Sequence, residues 1–356
     1  MIGSRNWTAY NLAQSEEKRR FVVLLADLCG GVLTVRLPGA GRPRLPLKDM
    51  LFAAAYKVYV GFSARRFTTD LREAFVSGQI DGMPHFNSVN RYMANPELTE
   101  PLKALVTASS LPLKSVETDF AVDSSGFSTS RFVRWYNKKY GREVDNREWA
   151  KVHLMCGVNT KIVTSVEVSG WTAHDTTYFV PLLQETAEHF QIGDVTADKA
   201  YLSRKNFKAV EAAGGTPFVP FKSNTVEPTK EEEPIWAKMY YYFMYNRLTF
   251  LEHYHMRSNV ESAYSMIKAK FGDSLRSKSD TGQVNEALCK VLCHNICVLV
   301  LAIHELGIEA NFGAKPAELV VVRRLCSGVV YKRVATARRV SVACIRASAI
   351  AMSCNR

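Results

Sequence analysis

Two aspartates, Asp123 and Asp198, lie where the sequence predicts that β-strands end. Asp123 follows a short apolar run in ETDFAVDSSGF, Asp198 ends the run DVTAD, and loop-like residues follow each of them. Enzymes built on a sheet often carry functional residues at such strand ends. A lone aspartate there is more often a turn or helix-cap residue. The two carboxylates therefore need a third partner before they indicate a site.

A third acid, Glu261, lies in the segment YHMRSNVESAYSMIK, residues 254–268. On a continuous α-helix at about 100° per residue, four polar side chains share an arc of about 60°: Tyr254, Arg257, Glu261 and Lys268. Four other side chains fall on the opposite side and are expected to face the core: Met256, Val260, Ala263 and Ile267. A solvated face with an Arg257–Glu261 ion pair explains the same pattern, although arginine before glutamate is the less favourable order.

The spacing on this segment resembles a known signature. Two residues separate Tyr254 from Arg257, three separate Arg257 from Glu261, and six separate Glu261 from Lys268. This is similar to the Tyr-Arg-Glu-Lys signature of insertion-sequence transposases of the DDE class. The resemblance extends over about residues 117–308.

The resemblance also covers the two strand-end aspartates. The first two acids of the family match Asp123 in AVDSSGF and Asp198 in ADKAY, and Glu261 is the third. The family implies an RNase H-like core in which these three carboxylates hold two Mg²⁺ or Mn²⁺ ions, with Asp123 bridging both. Hard ions of this kind suit carboxylate and phosphate oxygens. The implied reaction is cut-and-paste transposition, in which water frees a DNA 3′-OH that then attacks target DNA.

The other three signature residues are expected to contact DNA. A helix over residues 254–268 would be about 21 Å long, too long for all four side chains to reach one metal pair. By the resemblance, Tyr254, Arg257 and Lys268 hold the backbone of the transposon end. The implied partners are terminal inverted repeats and target DNA, bound by a dimer in the cytoplasm at the nucleoid.

Two other functions remain open. One is a DNA-binding derivative that no longer cuts, although such a protein has no physical need for all three acids. The other is an RNase H-like nuclease that cleaves without joining. Hydrolysis and strand transfer use the same metals, so the three acids cannot separate these reactions.

The elements that must position these residues predict an α/β fold. Residues 113–312 read as a strand, a hairpin (149–159 and 161–171), a helix, a strand, a helix, a strand and then helices. This order indicates a mixed sheet flanked by helices, with three antiparallel and two parallel strands. Asp175 is expected to cap the helix that follows it, and an insertion is expected near 222–250.

Residues 1–112 are predicted to form a helical domain. The stretch from residue 67 to residue 93 has the outline of a helix-turn-helix, with Asn87 as an N-cap. DNA contact and plain packing are both open for this region. Residues 313–356 form a basic tail, since residues 315–356 carry nine Lys or Arg and one acid, or +8 of the net charge of +12.

Composition sets broad limits on the class of protein. The 356 residues are 47% hydrophobic, which allows a large core, and the positive charge favours a polyanionic partner such as nucleic acid. The strongly apolar run 287–303 contains Lys290, His294 and Asn295. We therefore expect this run to be a core helix, and we expect no membrane span.

Overall fold

The computed structural model describes most of the chain: residues 6–32, 34–35, 45–129, 149–229, 234–310, 312, 321–322 and 330–331. Apart from the last two pairs, the predicted basic tail 313–356 lies outside the described residues. The main helices are α1 (Trp7–Gly30), α2 (Leu47–Val60), α3 (Thr68–Val76), α4 (Phe86–Met93), α5 (Thr99–Ser110), α6 (Thr176–Ala187), α7 (Arg204–Ala212), α8 (Pro234–Tyr245), α9 (Arg247–His255), α10 (Ser258–Phe271) and α11 (Asp280–Leu306). The strands are β1 (Thr34–Val35), β2 (Phe120–Ser128), β3 (Trp149–Gly157), β4 (Val163–Gly170), β5 (Asp194–Ala197), β6 (Thr216–Phe218), β7 (Val321–Val322) and β8 (Val330–Tyr331).

A five-stranded sheet forms the centre of the molecule, in the order β4-β3-β2-β5-β6. β2, β3 and β4 are antiparallel neighbours, and β5 and β6 add in parallel. The predicted mixed sheet, with its hairpin and its two parallel strands, is confirmed. β1, β7 and β8 form a separate small sheet.

Two hydrophobic clusters cover the two faces of this sheet. Alternation along β2 sends Ala121 and Phe127 to one cluster, which also contains residues of α1, α2, α5, α10 and α11. Phe120 and Val122 join the other cluster, with residues of α6 to α9. Helices therefore flank the sheet on both faces, as predicted. α8 lies in the predicted insertion near 222–250 and contributes Trp236 to the second cluster.

The first 112 residues hold α1 to α5, which pack against the rest of the chain. α1, α2 and α5 all contact α11. α2 ends as predicted at Gly61, whose φ of 72° lies in the left-handed region that glycine adopts readily. The predicted cap of α4 is wrong, because the helix begins at Phe86 and the His85 ring accepts the Asn87 N–H at 3.3 Å. Nine residues connect α3 to α4, more than the three or four of a helix-turn-helix, so DNA contact here stays a prediction.

α11 is the long core helix that residues 287–303 predicted. Among the described residues it is the one helix long and apolar enough to cross a membrane, but 78% of its apolar window is buried inside the protein. Its polar residues have internal partners. Lys290 Nζ donates to the carbonyls of Gly272 and Ser274, both at 2.8 Å, and His294 Nε2 lies 2.9 Å from the Lys161 carbonyl.

Asn295 joins α11 to the sheet and to α5. Its amide accepts from the Val163 N–H at 2.9 Å and donates to the Val163 carbonyl at 2.7 Å and to Ser109 Oγ at 2.9 Å. Replacing Asn295 with alanine leaves buried polar groups without partners, and we expect the free energy of unfolding to fall by about 3 kcal/mol. Urea denaturation measures this change. The exposed Glu305→Ala on the same helix should change the value by less than about 0.5 kcal/mol, and an equally small change for Asn295→Ala would contradict the expectation.

Candidate active site

Asp123 and Asp198 follow the last paired residues of two neighbouring strands. The parallel pairing of β2 with β5 ends at Val122 and Ala197; Asp123 is the next residue of β2, and Asp198 is the first residue after β5. The expectation that Asp123 ends its strand needs correction, because β2 continues to Ser128 along β3. Asp123 is instead the point at which β2 loses its neighbour on the β5 side. Its side chain is 21% exposed.

The continuous helix predicted over residues 254–268 is wrong. α9 ends at His255, α10 begins at Ser258, and Met256 and Arg257 form a turn between them. Helical dihedral angles persist through the turn, but its hydrogen bonds run from residue i to residue i−3, as from the Arg257 N–H to the Tyr254 carbonyl at 2.9 Å. This tighter winding places fewer residues in each turn, so Tyr254 does not share one straight stripe with the other three residues.

Three of the four side chains that were predicted to face the core are buried. Val260, Ala263 and Ile267 are fully buried, whereas Met256 is only partly buried because it lies in the turn. The buried side fixes the rotation of α10 against the sheet. Glu261 therefore lies on the side away from these residues, and its side chain is 54% exposed.

Arg257 joins two of the three predicted carboxylates. Its Nη1 lies 3.1 Å from Asp123 Oδ2, and its Nη2 forms a short ion pair with Glu261 Oε1. The expected Arg257–Glu261 pair is therefore present, but Arg257 also reaches across to β2 and is only 21% exposed. A solvated helix face does not describe this arrangement.

The negative charge of Asp198 acts on Asp123, as that of Glu261 does. Burial raises the pKa of Asp123, and the negative charges of Asp198 and Glu261 raise it further. The Ser124 N–H, which donates to Asp123 Oδ1 at 2.8 Å, and the Arg257 guanidinium act in the opposite direction. Three carboxylates with one arginine carry a formal charge of −2, which favours a further cation.

The chemistry of these donors fits a divalent metal. All three side chains offer oxygen, which Mg²⁺ and Mn²⁺ prefer, and none offers the sulfur or imidazole of a typical zinc site. Within the described part of the chain, no three His, Cys, Asp or Glu side chains are already arranged to hold an ion. Arg257 occupies one oxygen of Asp123 and one of Glu261, so a metal ion at these two oxygens would compete with Arg257.

Lys268 contacts β2 two residues beyond Asp123, whereas Tyr254 lies on the neighbouring helix α9. Lys268 Nζ donates to Ser125 Oγ at 2.6 Å and lies 5.2 Å from the centre of the Phe127 ring. Burial lowers the pKa of Lys268. Tyr254, on α9, packs beside the second hydrophobic cluster. The structure thus joins Arg257 and Lys268 to β2 and leaves Tyr254 on the neighbouring helix.

Tyr264 is a site residue that the sequence analysis missed. It is 5% exposed, and its hydroxyl lies 3.0 Å from the Asp123 carbonyl and 2.7 Å from the Val152 carbonyl. A buried tyrosine needs a partner for its hydroxyl. In the sequence, Tyr264 directly follows Ala263, which was predicted to face the core, and this position could have indicated that Tyr264 is buried against the sheet. Tyr264 ties α10 to the part of β2 that carries Asp123.

Comparison with known families agrees with this arrangement of strands, helices and acids. Residues 114–296 match the profile of the family described as "Transposase DDE domain". The matched region begins just before β2 and ends within α11, so it contains the whole five-stranded sheet and α10. Because the match covers more than half of the 356 residues, the chain belongs to the family of transposases with a DDE domain.

Proposed function

We propose that this protein is a Mg²⁺- or Mn²⁺-dependent transposase that cuts the ends of its own element and joins them to target DNA. The observation that carries the proposal is the convergence of Asp123 from β2, Asp198 after β5 and Glu261 from α10. These residues are far apart in the chain, and three carboxylates brought together repel one another, a cost that bound cations would offset. The proposed catalytic and metal-binding residues are therefore Asp123, Asp198 and Glu261.

The chain's residues divide the proposed work between metal binding and DNA binding. A bound pair of divalent ions would activate the attacking oxygen and stabilise the leaving one. Asp123 would bind both ions, and Asp198 and Glu261 would each complete one site. Arg257 would leave the carboxylates and contact a phosphate of the transposon end, which is a stronger partner for a guanidinium than bulk water.

The proposed DNA path extends from the carboxylates along α10 and α9. Lys268 on α10 and Tyr254 on α9 would contact the same DNA end as Arg257, which is the role that the Tyr-Arg-Glu-Lys signature implies. The helical region 1–112 would add contacts to the DNA backbone. A dimer at the nucleoid would hold two inverted-repeat ends for cut-and-paste transposition.

The test uses the full-length protein with labelled DNA ends that flank its gene, Mg²⁺ and a target plasmid. The proposal requires nicked ends that depend on the metal, followed by ends joined to the plasmid. Nicked ends that never join would favour the nuclease. Bound but uncut DNA at every concentration of Mg²⁺ and Mn²⁺ would favour the DNA-binding derivative.

A further inference from the structure

Side chains on both faces of the sheet contact β2 at Asp123 and Ser124. After Val122 the pairing of β2 with β5 stops, and the next backbone partner on that edge is the segment 273–275, which hydrogen-bonds to Ser128. On one face, the Tyr264 hydroxyl lies between two carbonyls, 2.7 Å from that of Val152 and 3.0 Å from that of Asp123. Successive side chains of a strand point to opposite faces, so Ser124 points to the other face. Its backbone N–H meanwhile holds Asp123 Oδ1 at 2.8 Å.

The Ser124 hydroxyl is anchored by Asp175. Ser124 Oγ donates to Asp175 Oδ1 at 2.8 Å, and Lys151 Nζ lies 2.5 Å from the same oxygen. Asp175 lies at the N-cap position of α6, as predicted, but its side chain makes no capping hydrogen bond with that helix. The carboxylate instead points across to β2 and β3. A helix-capping role therefore does not account for this aspartate.

His153 packs beside the Ser124–Asp175 contact. It is neutral near pH 7. It is opposite Ser124 in the β2–β3 register, is fully buried, and stacks on Tyr178 at 4.1 Å between ring centres. Its Nδ1 lies 3.5 Å from Asp175 Oδ1, beyond good hydrogen-bond range. Burial lowers the pKa of His153 to about 4. The cationic partner of Asp175 is therefore Lys151.

We propose that Asp175 is a positioning residue for DNA cleavage and joining, acting through Ser124 to fix Asp123 where β2 loses its parallel neighbour. This inference rests on the proposed function. Asp175 would act without contacting the DNA or the metals itself. Asp175 would limit the movement of Ser124, and Ser124 would in turn fix the position of the Asp123 carboxylate.

The test compares Asp175→Ala, Asp175→Asn, Ser124→Ala and the Ser124→Ala/Asp175→Ala double variant. With saturating DNA, we expect Asp175→Ala and Ser124→Ala each to slow single-turnover cleavage and weaken Mn²⁺ binding by about 10- to 100-fold, as for other residues that orient metal ligands. DNA affinity should stay within about twofold, since neither residue contacts DNA in this account. Mn²⁺ binding is followed by electron paramagnetic resonance in the presence of end DNA.

Two comparisons separate positioning from a general structural role. Asp175→Asn keeps an oxygen that can accept from Ser124, so it should restore most of the cleavage that Asp175→Ala loses. The double variant should be no slower than either single variant, because both remove the same contact. Glu211→Ala, at an exposed acid on α7, is the control, and thermal denaturation of each variant reports folding.

The outcomes keep the two proposals apart. A wild type that cuts, together with Asp175→Ala and Ser124→Ala that cut and bind Mn²⁺ equally well, overturns the positioning role and leaves the proposed function intact. Additive losses in the double variant also overturn it. A wild type that never cuts removes the proposed function and this inference with it.

Discussion

Replacing Glu261 with glutamine is expected to reduce strand cleavage by about a thousandfold or more. Metal ions contribute several kcal/mol of transition-state stabilisation, and each 1.36 kcal/mol changes a rate tenfold. Glutamine keeps the shape of the side chain but not the charge that would complete one metal site. The measurement is the single-turnover rate of end cleavage at saturating DNA and Mg²⁺.

This loss should occur in a folded protein. The Glu261 side chain is 54% exposed, and ion pairs at such positions contribute only about 0–1 kcal/mol. Thermal denaturation should therefore change little. Glu252→Gln removes an exposed acid from the neighbouring α9 and should cleave at the wild-type rate. Full cleavage and joining by Glu261→Gln would show that Glu261 is not catalytic.

Replacing Arg257 with glutamine is expected to change metal binding and DNA binding in opposite directions. Arg257 occupies Asp123 Oδ2 and Glu261 Oε1. Its loss removes a competing cation, so Mn²⁺ should bind the DNA-free protein about tenfold more tightly. The same loss removes one proposed phosphate contact, so binding of the DNA end should weaken and its salt dependence should fall by about 0.9 in log–log slope.

Lys268→Gln is the matched control for the change at Arg257. It removes the same charge from the proposed DNA path, but Lys268 donates to Ser125 rather than to one of the three acids. It should weaken DNA binding without tightening Mn²⁺ binding. Calorimetry with Mn²⁺ and DNA titrations at several salt concentrations measure both effects. Unchanged or weaker Mn²⁺ binding by Arg257→Gln would contradict the competition between the arginine and the metal.

The order of the sheet strands could be predicted because it depends on local patterns. The hairpin of β3 and β4 and the short apolar run of β5 are each readable in a few residues, and they set the neighbours of β2. The internal partners of Lys290, His294 and Asn295 were also foreseeable, since a core helix must satisfy its polar groups. These features need no knowledge of which distant residues meet.

The features that could not be predicted depend on small backbone changes and distant contacts. The turn at Met256 and Arg257 keeps helical dihedral angles and changes only the hydrogen-bond spacing, so periodicity does not reveal it. Arg257 meets Asp123 across 134 positions of sequence, and Asp175 meets Ser124 across 51. Short-range spacing suggested the Arg257–Glu261 pair but could not show that Arg257 also binds Asp123.

Asp123, Asp198 and Glu261 are proposed to hold a pair of divalent ions together on DNA. Anomalous X-ray diffraction from crystals of the protein with its DNA end and Mn²⁺ tests this proposal. We expect two Mn²⁺ peaks about 3.5–4 Å apart, with Asp123 bound to both and Arg257 displaced towards a phosphate. Ordered DNA at these carboxylates with no Mn²⁺ peak, or with Mn²⁺ bound only elsewhere, would contradict it.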